Sequence, residues 1–282
     1  MSAVAAIDLG GTGMKGGVVR EPGALLHAET RPTDREDGPE AVLGRLAAFA
    51  ADLARSEAVR AVGVAVPGLV DEAAGRAVVS VNLGWRDVAL RERLGEALGL
   101  PVAVAHDVRA AAIAEGELGA AQGCRDWLLV TLGTGVGAAV VFGGRPYGGA
   151  HGAGGELGHM VVVPDGPECG CGARGCVEAL ASAGAIERRA GRPVRDVIAD
   201  RDPVWLEAVD ALAAGLAAYA VVMDPERIVI GGGLAAAGDA LFAPLAEALA
   251  GRLTFTPAPP LVPAALGPDA GCHGAAIAAR AL

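Results

Sequence analysis

Large aromatic side chains and lysine are scarce in this sequence of 282 residues. Aromatic residues make up 3% of the chain, and Lys15 is its one lysine, so every other Lys/Arg position is an arginine. A chain this poor in aromatic residues lacks the ring platform on which single-stranded nucleic acids are stacked. Its 33 acidic residues outnumber 23 basic ones, and the net charge of -10 disfavours a polybasic surface for nucleic acid or membranes.

Small apolar residues are abundant instead, since 52% of the chain is hydrophobic. The stretch 127–144 is uncharged and about as long as a short membrane-spanning helix, but its five glycines disfavour a continuous helix and favour two strands joined by a turn. No basic segment precedes the first apolar run, and Asp8 interrupts that run. We therefore expect no secretory signal, no membrane partner and a cytoplasmic protein.

Cysteines are few and odd in number, which argues against a disulfide framework in a chain with no predicted signal. Three of the five lie close to a histidine, within 18 residues: His159, Cys169, Cys171 and Cys176. One imidazole and three thiolates are a complete tetrahedral set for structural Zn²⁺. The alternatives are a reduced, metal-free loop and a strained disulfide within the Cys-x-Cys pair.

Alternating apolar segments predict an α/β protein with two related lobes. The predicted strands are 3–9, 16–20, 60–66, 101–105, 127–132, 138–142 and 227–230, and the predicted helices are 39–57, 88–98, a segment after 107, 205–222, 234–250 and 273–281. Asp87 is a plausible N-cap for the second of these helices. Five prolines exclude a regular helix over 254–268.

Three glycine-rich turns follow buried strands, and such turns let backbone N–H groups converge on phosphate oxygens without a net positive charge. Their candidate ligands for a nucleotide are Asp8, Gly10, Gly11, Thr12 and Lys15 in the first turn, Gly133, Thr134, Gly135 and Gly137 in the second, and Gly232 and Gly233 in the third. Asp8 would bind Mg²⁺ through water, and Thr12 and Lys15 would meet phosphate oxygens. One such turn alone is most often an ordinary hairpin, and no Walker A sequence is present.

The motifs DLGGTGMK, LGTGVG and IVIGGG resemble the phosphate 1, phosphate 2 and adenosine motifs of the actin-like ATPase fold. A further motif is GH (158–159) followed by CGCGARGCVE (169–178), which fits the pattern C-x-C-G-x-x-G-C-x-E. With these four motifs the chain resembles the ROK group of bacterial sugar kinases from Ala5 to about Ala279. The resemblance implies a two-lobed, ribonuclease H-like fold with ATP in the interlobe cleft. Residues 1–110 plus 271–282 would form the smaller lobe, and 111–270 the larger lobe with the zinc loop.

Asp107 directly follows the predicted strand 101–105 and His106, at a strand end where ligands bind in open α/β sheets. From the residues alone it is either a helix N-cap or a general base. The resemblance favours the base that accepts the proton of a sugar hydroxyl. It also implies that the sugar is contacted by Gly68, Asn82, Glu156, His159 and Glu178, with His159 serving both zinc and sugar.

Two departures from the family leave the substrates open. His106 stands where these kinases usually have a sugar-contacting Asn, and GGTGMK is closer to the GGSGIK of polyphosphate glucokinases than to GGTK. Because those enzymes generally lack the zinc segment, we expect ATP as the donor.

We expect an ATP-dependent glucokinase acting on the 6-hydroxyl, and the alternatives are an N-acetylglucosamine or N-acetylmannosamine kinase and a polyphosphate-using glucokinase. A non-enzymatic ROK repressor would carry a helix-turn-helix ahead of the phosphate loop, and because that loop begins at Asp8 we expect no such DNA-binding segment. The resemblance further suggests a homodimer or homotetramer.

Overall fold

The computed structural model describes residues 3–20 and 24–282. It contains two compact units. The first comprises Met1–Glu117, Ala150–Ala153 and Pro268–Leu282, and the second comprises Leu118–Gly149 and Gly154–Gly267. The lobe boundary predicted at residue 110 lies inside a helix that the structure assigns almost entirely to the first unit.

Strands and helices alternate along most of the described chain. In chain order they are β1 (Ala3–Leu9), β2 (Gly13–Val19), β3 (Leu25–Pro32), α1 (Pro39–Ser56), β4 (Val59–Val66), β5 (Leu69–Asp71), β6 (Arg76–Ser80), β7 (Trp85–Val88), α2 (Leu90–Leu98), β8 (Val102–His106), α3 (Asp107–Leu118), β9 (Trp127–Leu132), β10 (Val136–Phe142), β11 (Arg145–Pro146), α4 (Val177–Ala181), α5 (Ala183–Ala190), α6 (Val194–Ala199), α7 (Pro203–Met223), β12 (Ile228–Gly231), α8 (Asp239–Arg252), β13 (Leu261–Pro263) and α9 (Ala270–Arg280).

The first unit is built on a five-stranded sheet in the order β3-β2-β1-β4-β8. Strands β1, β2 and β3 pair antiparallel, whereas β1, β4 and β8 pair parallel. Because side chains alternate along a strand, Ile7 and Leu9 pack with Leu46 and Phe49 of α1 on one face, while Val4 and Ala6 belong to a core cluster with α9 on the other.

Small residues let α9 approach this second face closely. A Cβ at Gly63 of β4 would collide with the carbonyl of Ala275 in α9, and a Cβ at Gly274 of α9 would collide with the carbonyl of Ala110 in the adjacent helix α3. The abundance of alanine and glycine in the sequence therefore has a packing consequence: helix and sheet backbones pack with little side-chain volume between them.

The second unit repeats the strand plan with the order β11-β10-β9-β12-β13. Its core includes Leu128 and Val130 of β9 and Leu212 and Leu216 of α7. By length and composition α7 is apolar enough to cross a membrane, with a mean hydropathy of 1.7, but half of its most apolar stretch is buried inside the protein. A core helix of a globular unit has these properties.

Several element boundaries differ from the sequence prediction. Asp87 is not an N-cap: it lies in β7 with a φ of 52°, and α2 starts at Leu90 after Ala89. The helix predicted over 234–250 is split at Gly238, whose φ of 56° ends a 3₁₀ turn (Gly233–Ala237) before α8 begins. The absence of a regular helix over 254–268 is confirmed, since this segment holds β13 and a short 3₁₀ turn.

Candidate active site

The first glycine turn joins β1 to β2 and is held mainly by backbone hydrogen bonds. Gly10 N donates to Gly13 O at 2.8 Å, closing the turn. Buried Thr33 supports it from outside, since its hydroxyl donates to Gly10 O at 2.7 Å and its amide donates to Thr12 O at 3.1 Å. These three hydrogen bonds use only backbone groups and one uncharged hydroxyl, which suits a turn that binds anions through its backbone.

Two charged side chains, Asp8 and Lys15, flank this turn on paired positions of β1 and β2. Burial raises the pKa of Asp8 to about 6, and the Lys15 ammonium opposes part of that rise. Lys15 forms an ion pair with Asp269, just before α9. A Cβ at Gly271 would collide with the Asp8 carboxylate, so α9 packs directly against the group predicted to bind Mg²⁺.

The second glycine turn joins β9 to β10 and has no ionisable side chain of its own. Gly133 N donates to Gly135 O at 2.9 Å. The carboxylate of Glu178 accepts a hydrogen bond from Val136 N at 2.9 Å, and Ala183 N donates to Gly133 O at 2.9 Å. Glu178, predicted from the sequence as a sugar contact, therefore also touches a predicted phosphate turn.

The third turn follows β12, and its central glycine has a packing reason to be glycine. Gly232 has a φ of 83°, and a Cβ there would collide with the Leu132 backbone. A Cβ at Gly233 would instead meet open space beyond its chain neighbours. The predicted nucleotide contacts of Gly232 and Gly233 stay predictions.

Asp107 stands where β8 ends and α3 begins, as the sequence indicated. Its Oδ1 accepts a hydrogen bond from Val108 N at 2.7 Å and lies 3.4 Å from His106 Nε2. Arg109 N donates to His106 Nδ1 at 3.3 Å, which places the imidazole proton on Nε2, facing Asp107.

His106 is held as a neutral side chain. It is 7% exposed, and burial together with the nearby Arg109 charge lowers its pKa to about 3. Its backbone N donates to Glu72 Oε1 at 2.9 Å. The His106 imidazole is thus a fixed N–H donor over the whole neutral pH range.

Sequence reasoning missed Arg109 and Glu72. Arg109 is 4% exposed, and its Nε donates to Glu72 Oε1 at 2.9 Å. Its Nη1 donates to Gly152 O at 3.0 Å and its Nη2 to Val70 O at 3.4 Å. The only feature near Arg109 that could have drawn attention to it is its charge on an alanine-rich helix, two positions after Asp107. Its partners Glu72 and Gly152 are 37 and 43 residues away, so their contacts leave no pattern in the sequence.

Asn82 and Gly68, two predicted sugar contacts, lie in the first unit. Asn82 is exposed on a 3₁₀ turn, and a Cβ at Gly11 would lie 3.4 Å from the Asn82 Cβ, so Asn82 is beside the first glycine turn. Gly68 has a φ of 102°, and a Cβ there would collide with Val79 O. Glycine at position 68 is therefore required by the backbone, whatever its role toward a sugar.

The structure brings three of the four predicted zinc ligands into one group and places the fourth beside it. The possible ligand atoms of His159, Cys169 and Cys171 lie within 4.8 Å of one another, with Cys169 Sγ 3.7 Å from His159 Nδ1. Cys176 is not within that mutual distance, but its Sγ lies 3.8 Å from that of Cys171. One imidazole and several thiols in this arrangement are the donor chemistry that Zn²⁺ prefers.

The other ring nitrogen of His159 points to a predicted sugar contact. His159 Nε2 lies 3.9 Å from Glu156 Oε2, while Nδ1 faces Cys169. The two nitrogens are therefore divided between the cysteine cluster and Glu156, the division that the double role of His159 needs. Two glycines let the loop turn back, since Gly172 has a φ of 92° and Gly175 a φ of 73°.

Comparisons with known proteins found relatives that match nearly the whole chain. A family model described as ROK family matches residues 4–281. A glucokinase from Thermotoga maritima is 37% identical over 300 residues, which cover 96% of this chain and 95% of that protein. A ROK hexokinase structure from Thermus thermophilus has a TM-score of 0.85 at 40% identity and covers 99% of this chain and 98% of that one.

A second similar structure is a ROK family glucokinase from Streptomyces griseus in complex with glucose and AMPPNP. It has a TM-score of 0.86 at 32% identity, and the match covers 100% of both chains. The predicted fold class, the two-lobed actin-like ATPase fold, is confirmed by these structures.

Proposed function

Because the chain belongs to the ROK family, we propose that it is an ATP-dependent hexose kinase that phosphorylates the 6-hydroxyl of glucose. The observation that carries the proposal is Asp107, which stands at the end of β8 beside a neutral His106. A carboxylate at this position is suited to remove a proton from a bound hydroxyl.

In the proposed reaction, Asp107 accepts the proton of the sugar 6-hydroxyl while the oxygen bonds to the γ-phosphorus of ATP. The bond from that phosphorus to the β,γ-bridging oxygen breaks, and ADP leaves. The sugar is converted to its 6-phosphate. Val108 N and His106 Nε2 both approach Asp107 Oδ1, so the carboxylate is oriented before the sugar binds.

The two glycine turns are proposed to bind the phosphates through backbone N–H groups, with the Lys15 ammonium as the added charge. Gly137, in β10, would complete the second turn. Asp8 would hold Mg²⁺, which when bound neutralises phosphate charge. Gly232 and Gly233 would contact the adenosine. With backbone N–H groups, Lys15 and Mg²⁺ neutralising the phosphates, a chain of net charge -10 can bind a polyanion.

The sugar is proposed to contact carboxylate, amide and imidazole groups that pair with its hydroxyls: Gly68, Asn82, His106, Glu156, His159 and Glu178. His159, Cys169, Cys171 and Cys176 would hold a structural Zn²⁺, which supplies no chemistry to phosphoryl transfer and fixes the loop that carries Glu156. We further propose a cytoplasmic homodimer or homotetramer.

The test is a screen of the purified protein with Mg-ATP against glucose, mannose, N-acetylglucosamine and N-acetylmannosamine. We expect the highest kcat/KM for glucose, and no turnover when polyphosphate replaces ATP. ADP formation with none of the four sugars would overturn the proposal. A higher kcat/KM for either N-acetylated sugar would instead select the N-acetylhexosamine kinase.

A further inference from the structure

The segment after the last candidate zinc ligand holds the second glycine turn at both ends. Glu178, in the first turn of α4, accepts a hydrogen bond from Val136 N where the turn enters β10. Ala183 N, where α5 begins, donates to Gly133 O where β9 ends. A short stretch of chain therefore fixes the entry and the exit of the turn.

The Glu178 carboxylate also lies against the middle of the turn. A Cβ at Gly135 would come 2.6 Å from Glu178 Oε2 and 3.5 Å from its Cδ. Gly135 does not have a positive φ, so a side chain here would meet the end of the Glu178 side chain and not a strained backbone. The Glu178 carboxylate thus occupies the space that a Cβ of residue 135 would take, and a side chain there would displace it.

The position of Glu178 depends in turn on the cysteine segment. Val177 N donates to Met160 O at 2.9 Å, and Cys176 pairs with Val161 in an isolated antiparallel bridge. These contacts fix the start of α4 to the strand-like segment that follows His159. A change in the cysteine cluster therefore has a short covalent and hydrogen-bonded route to Glu178.

We propose that Glu178 is a positioning residue for the nucleotide turn 133–135, in addition to its predicted contact with the sugar, and that it links the cysteine cluster to nucleotide binding. This inference rests on the proposed function, since it takes the turn as a phosphate site. One carboxylate would then serve both substrates: Oε2 orders the turn through Val136 N, and the group as a whole remains a hydrogen-bond acceptor for sugar hydroxyls.

The first test is the dissociation constant of Mg-AMPPNP without sugar, measured by calorimetry. Glu178→Ala removes the hydrogen bond to Val136 N, and we expect binding to weaken about tenfold or more, as for loss of a hydrogen bond to a charged group. Glu178→Gln keeps an acceptor oxygen, so we expect binding within about threefold of the unsubstituted protein. The sugar KM should rise in both variants.

A matched control is Glu187→Ala, which removes the same kind of bond, from Val194 N to a glutamate carboxylate at 3.0 Å, on the neighbouring helix α5. We expect it to leave nucleotide affinity unchanged. Unchanged affinity in Glu178→Ala, or an equal loss in Glu187→Ala, would overturn the inference.

A double-mutant cycle separates positioning from direct obstruction of the phosphates. Gly135→Ala should displace the Glu178 carboxylate and weaken nucleotide binding, but it should add little in the Glu178→Ala background, where the colliding group is gone. Additive losses would mean that the methyl group obstructs the nucleotide directly and would overturn the inference. Circular dichroism would confirm that each variant is folded.

Failure of this inference can be told apart from failure of the proposed function, because the nucleotide-binding assay contains no sugar. If the unsubstituted protein binds Mg-AMPPNP but phosphorylates none of the sugars, the function fails while the role of Glu178 is still tested.

Discussion

The glycine turn after β1 and the glycine turn after β9 are equivalent in topology but are stabilised differently. Each connects an antiparallel hairpin at the end of a strand that also pairs parallel with a further strand, β4 or β12. In each, the first glycine N–H is bonded within the turn, Gly10 to Gly13 O and Gly133 to Gly135 O.

The difference lies in where the charged groups come from. The first turn has Asp8 and Lys15 on its own strands, and its outer support is the uncharged Thr33. The second turn has neither, and its carboxylate comes from Glu178, 42 residues along the chain from Val136. The first turn thus has charged residues on its own strands, whereas the second receives its carboxylate from helix α4. We therefore expect substitutions at different positions to affect the two turns.

The largest expected effect lies outside both glycine turns, at the proposed proton acceptor. Asp107→Asn keeps the shape of the side chain but removes its basicity, so kcat should fall about 10³-fold or more while the affinities for sugar and Mg-AMPPNP change little. Steady-state kinetics and calorimetry would measure the two quantities. Turnover close to that of the unsubstituted enzyme would mean that the proton acceptor lies elsewhere.

The second largest expected effect is loss of zinc from the cysteine cluster in the second unit. The purified protein should contain about one zinc ion per chain, and Cys171→Ser should lose it, because one of the thiolate ligands is gone. Atomic absorption measures the metal, and sugar affinity should fall with it. Cys124→Ser, outside the cluster, is the control, and retention of zinc by Cys171→Ser would refute the proposed ligand set.

The third expected effect is weaker ATP binding when the charge beside the first glycine turn is removed. Lys15→Ala removes a cation beside the turn and also its ion pair with Asp269, so we expect the KM for ATP to rise about tenfold with the zinc content unchanged. Arg93→Ala, which removes the Arg93–Glu40 ion pair of the same unit, is the control. A parallel rise in the KM values for ATP and sugar would indicate a general folding defect.

The smallest expected effect is a pH dependence of stability in the first unit. The unfolded chain protonates His106 near pH 6.5, whereas the folded protein keeps it neutral down to about pH 3, so its contribution to stability is complete above pH 6.5 and decreases as the pH falls. Relative to His106→Asn, the free energy of unfolding should fall by about 1–2 kcal/mol between pH 6.5 and 5.

Urea unfolding at both pH values would measure this difference. His27→Asn, at an exposed position, controls for loss of a surface imidazole. A constant difference between the unsubstituted protein and His106→Asn would contradict the burial of a neutral imidazole.

The sequence predicted the central strands and glycine turns because their signals are local. Mostly apolar runs mark β1, β4 and β9, which lie at or next to the centres of the two sheets, and they are ended by glycine or, for β4, by Pro67 and Gly68. Strands β5, β6 and β7 were not predicted, since they are three to five residues long and only partly buried. Asp87 misled the prediction because a helix-capping residue type also tolerates the left-handed conformation that it adopts in β7.

For the candidate site, local motifs supplied the residue types but not their partners. Asp107 and the cysteine cluster could be predicted from a strand end and from ligand spacing. The contacts of Arg109 with Glu72 and of Glu178 with Val136 could not, because each joins residues more than 35 positions apart. Long-range pairs of this kind arise from the packing of elements and leave no periodic pattern in the sequence.

The packing of α9 on the first sheet has a consequence for the order in which the protein matures on the ribosome. Val4, Ala6 and Ala65 share a core cluster with Ala275 and Ala279, so the nascent chain leaves this face of the sheet uncovered until α9 has been synthesised. By then all residues of the second unit have been made. The turn beside Asp8, although translated first, is therefore among the last parts of the molecule to be completed.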